Sequence, residues 1–175
     1  IGDSPVARQL RSITYRLTEV DAPVLLTGDT GTGKEVIART LHLQSSRAER
    51  PFVAVNMATL SQRHFELELF GEEVSRELER AQGTSHTSGF VHRRGLLSEA
   101  MEGTLFLDEI DELSLEHQVK LLRLIEDRSY RPVNGGEPRR FEGRIIASSH
   151  QSLERLVHEG TFREDLFHRL NVYPI

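Results

Sequence analysis

The chain has 175 residues, the size of a single domain that can bury a substantial hydrophobic core. Hydrophobic residues make up 37%, and no apolar run approaches the roughly 18 residues that span a bilayer, which argues against a membrane protein. The formal net charge of −5 argues against a DNA-binding surface on this chain, and the absence of cysteine excludes disulfides and thiolate metal sites.

Short apolar runs alternate with longer amphipathic stretches, a pattern typical of an α/β fold in which helices flank a parallel sheet. In the first part of the chain we predict helices over 5–18, 33–44 and 59–69, and strands over 23–27 and 52–55. In the second part we predict strands over 104–107 and 145–147, and helices over 114–127, 151–158 and 162–170.

The stretch 72–95 departs from this alternation. Glu72 to Gln82 is predicted to be helical, because Val74, Leu78 and Ala81 share one helical face. Residues 83–89 are small, polar and rich in helix breakers, so we expect a mobile loop there. We interpret 72–95 as a loop region inserted into a single α/β domain.

A phosphate-binding loop joins the first predicted strand to the second helix. It reads Gly28-Asp29-Thr30-Gly31-Thr32-Gly33-Lys34, the G-x-x-x-x-G-K pattern in the strand–loop–helix context that it requires. The backbone N–H groups and the helix N-terminus would bind the phosphates of ATP, with Lys34 near the β- and γ-phosphates. Glu35 stands where the general pattern has the Ser or Thr that holds Mg²⁺, so the metal would depend more on water and on Asp108.

Asp108 and Glu109 end the apolar strand at 104–107. In a P-loop fold the first acid at such a strand end coordinates Mg²⁺, and a neighbouring carboxylate is well placed to polarise the attacking water. We therefore predict Asp108 as the magnesium ligand and Glu109 as the catalytic base. An acidic pair at a strand end is a weak signal alone, and it gains its meaning from the phosphate loop.

Six segments match, in order, the motifs of one protein family. They are GDTGTGKE at 28–35, PFVAVN at 51–56, ELFG at 68–71, GTLFLDEI at 103–110, QVKLLR at 118–123 and FREDLFHRLNV at 162–172. The chain thereby resembles the central AAA+ ATPase domain of sigma-54-dependent, NtrC-like bacterial transcription activators. In that family a Glu usually follows the phosphate-loop Lys, so Glu35 is grouped with the nucleotide-binding residues.

The resemblance implies a ring of subunits, commonly a hexamer, with ATP bound between neighbours. Asn56 falls on the asparagine that holds the catalytic Glu until the nucleotide state changes, and Ile1 and Gly2 fall beside the adenine. Arg163 and Arg169 fall on the arginines that act on the neighbouring subunit's nucleotide as arginine fingers. From spacing alone, each arginine is better explained as a surface salt bridge on a helix.

The loop that contacts sigma-54 in this family, G-A-F-T-G-A, is replaced here. Its position falls on Thr84–Gly89, where Thr87 keeps the threonine and His86 stands in place of the phenylalanine. A histidine offers less apolar contact surface than phenylalanine and can carry charge, which argues against the usual contact with sigma-54. Phe90 is a candidate aromatic substitute in the same segment.

The segment at 145–150 also differs from the family's I-I-A-A-T-N. Ser149 keeps a hydroxyl that is expected near the γ-phosphate, and His150 replaces the asparagine. The family's helical lid and its DNA-binding helix-turn-helix have no counterpart within residues 1–175, so we expect DNA contact through a domain outside this chain.

Three functions remain open at this point. The first is an ATPase that remodels RNA polymerase containing sigma-54. The second, which we favour, is a cytoplasmic regulator of the same ancestry in which ATP controls oligomerisation, acting with another sigma factor. The third is an AAA+ motor outside transcription, against which the FREDLFHRLNV segment argues.

Overall fold

The computed structural model describes residues 5–18, 20–61, 64–75 and 90–175. In chain order the elements are α1 Pro5–Arg16, β1 Val24–Thr27, α2 Lys34–Leu43, β2 Phe52–Asn56, α3 Phe65–Phe70, β3 Glu72–Ser75, β4 Phe90–Arg93, α4 Leu96–Ala100, β5 Thr104–Asp108, a 3-10 turn at Ile110–Glu112, α5 Leu115–Asp127, β6 Ser129–Tyr130, β7 Arg139–Arg140, β8 Arg144–Ser149, α6 Leu153–His158, α7 Glu164–Leu170 and β9 Tyr173–Pro174. Ile1, Gly2 and the window Thr84–Gly89 lie outside the described residues. No helix in the described part of the chain is long and apolar enough to cross a membrane.

A parallel sheet forms the centre of the domain. In the described ranges it has five strands in the order β2-β5-β8-β1-β9, and each neighbouring pair runs in the same direction. Its strands alternate with helices along the chain, which confirms the predicted α/β class with helices flanking a parallel sheet.

Both faces of the sheet are buried, which explains the uninterrupted apolar runs of its inner strands. On one face Leu26 and Phe106 pack with Ala38 and Leu41 of α2. The other face carries a larger cluster that includes residues of α3, α5 and α7. Because the strands are parallel and in register, their carboxyl ends meet at one edge of the sheet: Thr27 pairs with Ser149, and Asn56 pairs with Asp108.

The helix predicted from Glu72 to Gln82 is wrong where the structure describes it. Glu72–Ser75 is the strand β3, which pairs antiparallel with β4, Glu72 opposite Arg93. The Glu73 N–H also donates to the carbonyl of Val133, 3.1 Å away. Hydrogen bonds to chain segments distant in sequence therefore satisfy this backbone, and helical periodicity cannot register such partners. Residues 76–82 lie outside the described part of the chain.

The base of the β3–β4 ribbon is a close crossing of two backbone segments. A Cβ atom on Gly95 would lie 2.3 Å from the Gly71 nitrogen, and one on Gly71 would lie 2.4 Å from the Arg93 carbonyl oxygen. Each contact is with backbone, which cannot rotate away as a side chain would. Glycine at both positions therefore allows the two backbone segments to cross this closely at the base of the ribbon.

Replacing Gly95 by Ala is expected to lower the free energy of unfolding by about 1–3 kcal/mol, the usual cost of forcing extra volume into a packed site. Urea unfolding measures the change. Glu99→Ala, at an exposed position of the adjacent helix α4, is the control and is expected to unfold as the parent does. Equal midpoints for Gly95→Ala and the parent would contradict the tight crossing.

Candidate nucleotide-binding site

The phosphate loop connects β1 to α2 at the carboxyl edge of the sheet. Val24, Leu25 and Leu26 anchor the strand in the core, and Lys34 is the first residue of α2. Gly31 and Gly33 have φ angles of 82° and 91°, in the left-handed region that other residues rarely adopt. A Cβ atom at either glycine would meet nothing within 4 Å, so the backbone angle, and not lack of space, requires glycine at these two positions.

The ammonium group of Lys34 lies over the loop. Its Nζ donates to the carbonyl oxygens of Gly28 at 2.6 Å and Asp29 at 3.0 Å. Thr32 Oγ1 also donates to the Asp29 carbonyl, which stiffens the turn. Glu35 points instead to the exposed face of α2, where its carboxylate forms an ion pair with Arg39 at 2.8 Å. The structure therefore puts Lys34 against the loop and leaves Glu35 engaged with its own helix.

Asn56, Asp108 and Glu109 come together at the ends of β2 and β5. Asn56 Nδ2 donates to Glu109 Oε2 at 3.1 Å, and a longer contact of 3.5 Å reaches Asp108 Oδ2. Asn56 Oδ1 accepts the Ala58 N–H at 2.8 Å, which fixes the amide with its nitrogen toward the acids. Glu109 has φ 58°, a left-handed conformation that is uncommon outside glycine and often marks functional residues.

Ser148 completes this group and was missed by the sequence reasoning. It is fully buried on β8; its hydroxyl donates to Asp108 Oδ1 and accepts the Glu109 N–H at 3.1 Å. One hydroxyl therefore orients both acids. The sequence carries no local signal for Ser148, because its contacts depend on β8 pairing with β5.

Ser149 is also fully buried, but its hydroxyl is used locally. It donates to the Gln151 carbonyl at 2.7 Å and accepts the Gln151 N–H at 3.2 Å. The next residue, His150, lies near Asp111, with Nδ1 and Oδ2 2.9 Å apart. Ser149 thus lies beside the end of β1, as expected for a residue near the phosphates, while its hydroxyl holds a turn.

Arg163 and Arg169 lie at the two ends of α7. Both oxygens of Asp165 accept hydrogen bonds from Arg163, at 3.0 and 2.7 Å, and Arg169 Nε donates to Glu126 at 2.9 Å. The Arg163 hydrogen bond lowers the pKa of Asp165, and the same bond raises the pKa of Arg163. Among the described residues, the hydrogen bonds of both guanidinium groups go to these carboxylates and not to the phosphate loop.

Gln118, in the QVKLLR segment, is a second residue whose role the sequence did not reveal. Its side chain is fully buried, and its Nε2 donates to the carbonyl oxygens of Leu113 at 2.8 Å and Thr161 at 3.0 Å. Its Oε1 accepts the Arg163 N–H at 2.8 Å. The amide therefore connects the segment just after the acidic pair to the backbone of Arg163.

A cavity of about 380 Å³ adjoins the phosphate loop. Gly28, Gln151, Phe167 and Pro174 are among the residues that line it. Its mixed apolar and polar lining suits the base and sugar of a nucleotide whose phosphates lie on the loop. Asp108 offers the hard carboxylate oxygen that Mg²⁺ prefers, so the described residues fit both ATP and its metal.

The comparisons with known proteins agree with this geometry. The sigma-54 interaction domain family matches residues 1–175. The DNA-binding transcriptional regulator NtrC of Salmonella typhimurium is 44% identical over 175 residues, which is 100% of this chain and 35% of that protein. The chain thus spans about a third of the length of such relatives.

Solved structures give the same result. The crystal structure of NtrX from Brucella abortus in complex with ATP matches with a TM-score of 0.86 at 41% identity, covering 100% of this chain and 37% of that one. The P-loop NTPase domain of a sigma-54 activator from E. coli matches with a TM-score of 0.61 at 24% identity, covering 100% and 96% of the two chains. The latter likeness bears on the fold alone, which is that of an AAA+ P-loop NTPase domain.

Replacing Gln118 by Leu is expected to lower the free energy of unfolding by about 1–3 kcal/mol, because the buried Leu113 carbonyl, the partly buried Thr161 carbonyl and the Arg163 N–H lose their partner. Chemical unfolding measures this, and hydrogen exchange at the Arg163 amide should accelerate. Gln44→Leu, at an exposed position, is the matched control. Identical stabilities of the two variants would show that Gln118 does not hold these segments together.

Proposed function

The chain belongs to the sigma-54 interaction domain family, and on that premise we propose that it binds and hydrolyses ATP as the AAA+ domain of a bacterial transcription regulator. We further propose that ATP controls the assembly of several copies into a ring. We expect the whole protein to act in the cytoplasm, where bacterial transcription takes place, and to bind DNA through another domain.

The observation that carries this proposal is the group formed by Asn56, Asp108, Glu109 and Ser148 beside the phosphate loop. The Asn56 amide holds the Glu109 carboxylate, and the Ser148 hydroxyl holds the Asp108 carboxylate. Acids that were merely solvated at a strand end would not need these partners. Asp108 is the last residue of β5 and Glu109 follows it, and β8 separates β5 from the strand that carries the loop. This arrangement suits a metal-assisted attack of water on a phosphate.

Each residue has a defined part in this mechanism. The loop N–H groups and Lys34 would bind the β- and γ-phosphates of ATP. Asp108 would hold Mg²⁺, which supplies charge neutralisation at the phosphates, with Ser148 keeping the carboxylate oriented. Glu109 would accept a proton from the attacking water once its contact with Asn56 is released. In the described structure Asn56 engages Glu109, which corresponds to the restrained form of the base.

Arg163 and Arg169 would complete the site of a neighbouring copy. Their ion pairs with Asp165 and Glu126 are exposed, and such pairs contribute little to stability in water. Breaking these ion pairs would therefore cost little free energy, so the guanidinium groups could turn toward a phosphate across an interface. Hydrolysis would then require assembly, because the transition-state charge is stabilised in trans.

Replacing Glu109 by Gln is expected to reduce ATP turnover by about 100-fold or more while ATP remains bound, since only the base is lost. Lys34→Ala is expected to weaken ATP binding itself by at least about tenfold. Steady-state hydrolysis and equilibrium nucleotide binding separate the two effects, and Glu116→Gln, exposed on α5, is the control. Full turnover in Glu109→Gln would remove Glu109 from the mechanism.

Replacing Arg163 by Ala is expected to reduce turnover by about 1,000-fold or more without changing ATP affinity, because the guanidinium acts on a neighbour. Mixing this variant with Lys34→Ala should restore part of the activity, since a Lys34→Ala copy offers its arginine to an intact phosphate loop. Arg140→Ala, at an exposed arginine, is the control. Loss of ATP binding in Arg163→Ala would contradict a role in trans.

Two functions differ in the sigma factor that the assembled ring would act with. His86 in place of the family's phenylalanine favours a regulator that does not engage sigma-54. The second candidate, remodelling of polymerase that contains sigma-54, is favoured by the β3–β4 ribbon. The Gly71–Gly95 crossing fixes the base of that ribbon, whose two strands flank in sequence the segment that corresponds to the family's contact loop.

Sigma-54 capture decides between these two functions. With the full-length protein, ATP and a metal-fluoride transition-state mimic, we expect no stable complex with sigma-54, while nucleotide binding is measured in the same sample. A His86→Phe variant tests whether the missing aromatic is the reason, because it should gain capture. Stable capture of sigma-54 by the unaltered protein would instead show that it is a sigma-54 activator.

A further inference from the structure

A cluster of three potential metal ligands lies beside the acidic pair. Asp111 and Glu112 belong to the 3-10 turn that follows Glu109, and His150 follows the last residue of β8. One ligand atom from each of these side chains lies within 4.8 Å of the other two. Among the described residues this is the group of histidine and carboxylate side chains that comes close enough to hold an ion.

The Asp111 carboxylate is the unusual member of the cluster. Its side chain is 0% exposed, yet its Oδ1 makes no hydrogen bond among the described residues. Its Oδ2 accepts a hydrogen bond from the neutral amide of Gln151 at 3.2 Å. A fully buried carboxylate is costly unless a positive charge is near it, and one amide donor supplies little of that charge.

The contact between Asp111 and His150 is close without being a hydrogen bond. His150 Nδ1 lies 2.9 Å from Asp111 Oδ2, and this buried nitrogen makes no hydrogen bond among the described residues. Two ligands on one tetrahedral ion with bonds of about 2.1 Å stand about 3.4 Å apart, so a small movement of the two side chains would let both reach the same ion. Both atoms are therefore close enough to share one ion, and Nδ1 would lose no hydrogen bond in doing so.

We propose that Asp111, Glu112 and His150 bind one divalent transition-metal ion of the Zn²⁺ class, at a site distinct from the Asp108 magnesium site. One imidazole nitrogen with two carboxylates is a ligand set for such ions, whereas Mg²⁺ is bound mainly by oxygen. Water would fill the remaining coordination position. The net negative charge of two carboxylates balances the ion.

The position of the site gives the ion a mechanical consequence. It links the turn after Glu109 to the turn after Ser149, so it joins the ends of β5 and β8 that carry the acidic pair and Ser148. Gln151, which contacts Asp111, also lines the cavity beside the phosphate loop. A bound ion would therefore restrain the segment that positions Glu109. The binding itself does not depend on the proposed ATPase function.

The test is isothermal titration of the nucleotide-free protein with Zn²⁺ in excess Mg²⁺, after treatment with a chelator. We expect one Zn²⁺ per chain, and at least about tenfold weaker binding in both His150→Asn and Asp111→Asn, since each removes a ligand. Binding should stay unchanged in His158→Asn, at an exposed histidine of α6, and in Asp108→Asn. Co²⁺ substituted for Zn²⁺ should give visible absorption bands that His150→Asn alters.

Three results would overturn the proposal. The first is no Zn²⁺ binding by the unaltered protein. The second is an affinity for Zn²⁺ in His150→Asn and Asp111→Asn that equals that of the unaltered protein. The third is loss of binding in Asp108→Asn, which would assign the ion to the nucleotide site. His150 is about one third exposed, so its replacement removes the nitrogen ligand without disturbing the core. This variant keeps the test decisive if Asp111→Asn is too unstable to purify.

Discussion

The register between β2 and β5 is the constraint on which the site depends. Asn56 pairs with Asp108 in that register, and a shift by one residue would turn every side chain of one strand to the opposite face. The Asn56 amide would then no longer reach Glu109. Burial of β5, together with Val55 of β2, in the core favours this register, so the hydrophobic packing of the sheet also helps to determine the geometry of the acidic pair.

β8 adds a second level of control because it lies between the loop-bearing strand and the acid-bearing strand. Ser148 contacts both acids, and Ser149 and His150 follow at the point where the chain leaves the sheet. The carbonyl of Ser149 also accepts the Gly28 N–H at the start of the phosphate loop. A displacement at the end of β8 would therefore move the phosphate loop and Glu109 together.

Which features of the fold and the site could be predicted from the sequence depends on how far apart along the chain the interacting residues lie. The phosphate loop, the acids and the inner strands are local patterns, so Lys34, Asp108 and the parallel sheet could be found from the sequence. Ser148 and Gln118 act through partners far along the chain, and nothing local distinguishes them from other buried polar residues. The helix predicted from Glu72 was wrong at Glu72–Ser75 for the same reason, since its partner strand begins at Phe90.

The contrast between the backbone and the side chain of Arg163 connects the fold to the proposed assembly. Its N–H is held by a buried amide that also binds Leu113, five residues after Asp108, whereas its guanidinium makes an exposed ion pair. The backbone is thus connected to the segment that follows the acidic pair of its own subunit, and in the proposed ring the side chain would face the next subunit. A movement of the segment after Asp108 would shift Gln118, and with it the arginine presented to the neighbour. In the proposed ring, this connection would be a short physical route by which the nucleotide state of one copy affects hydrolysis in another.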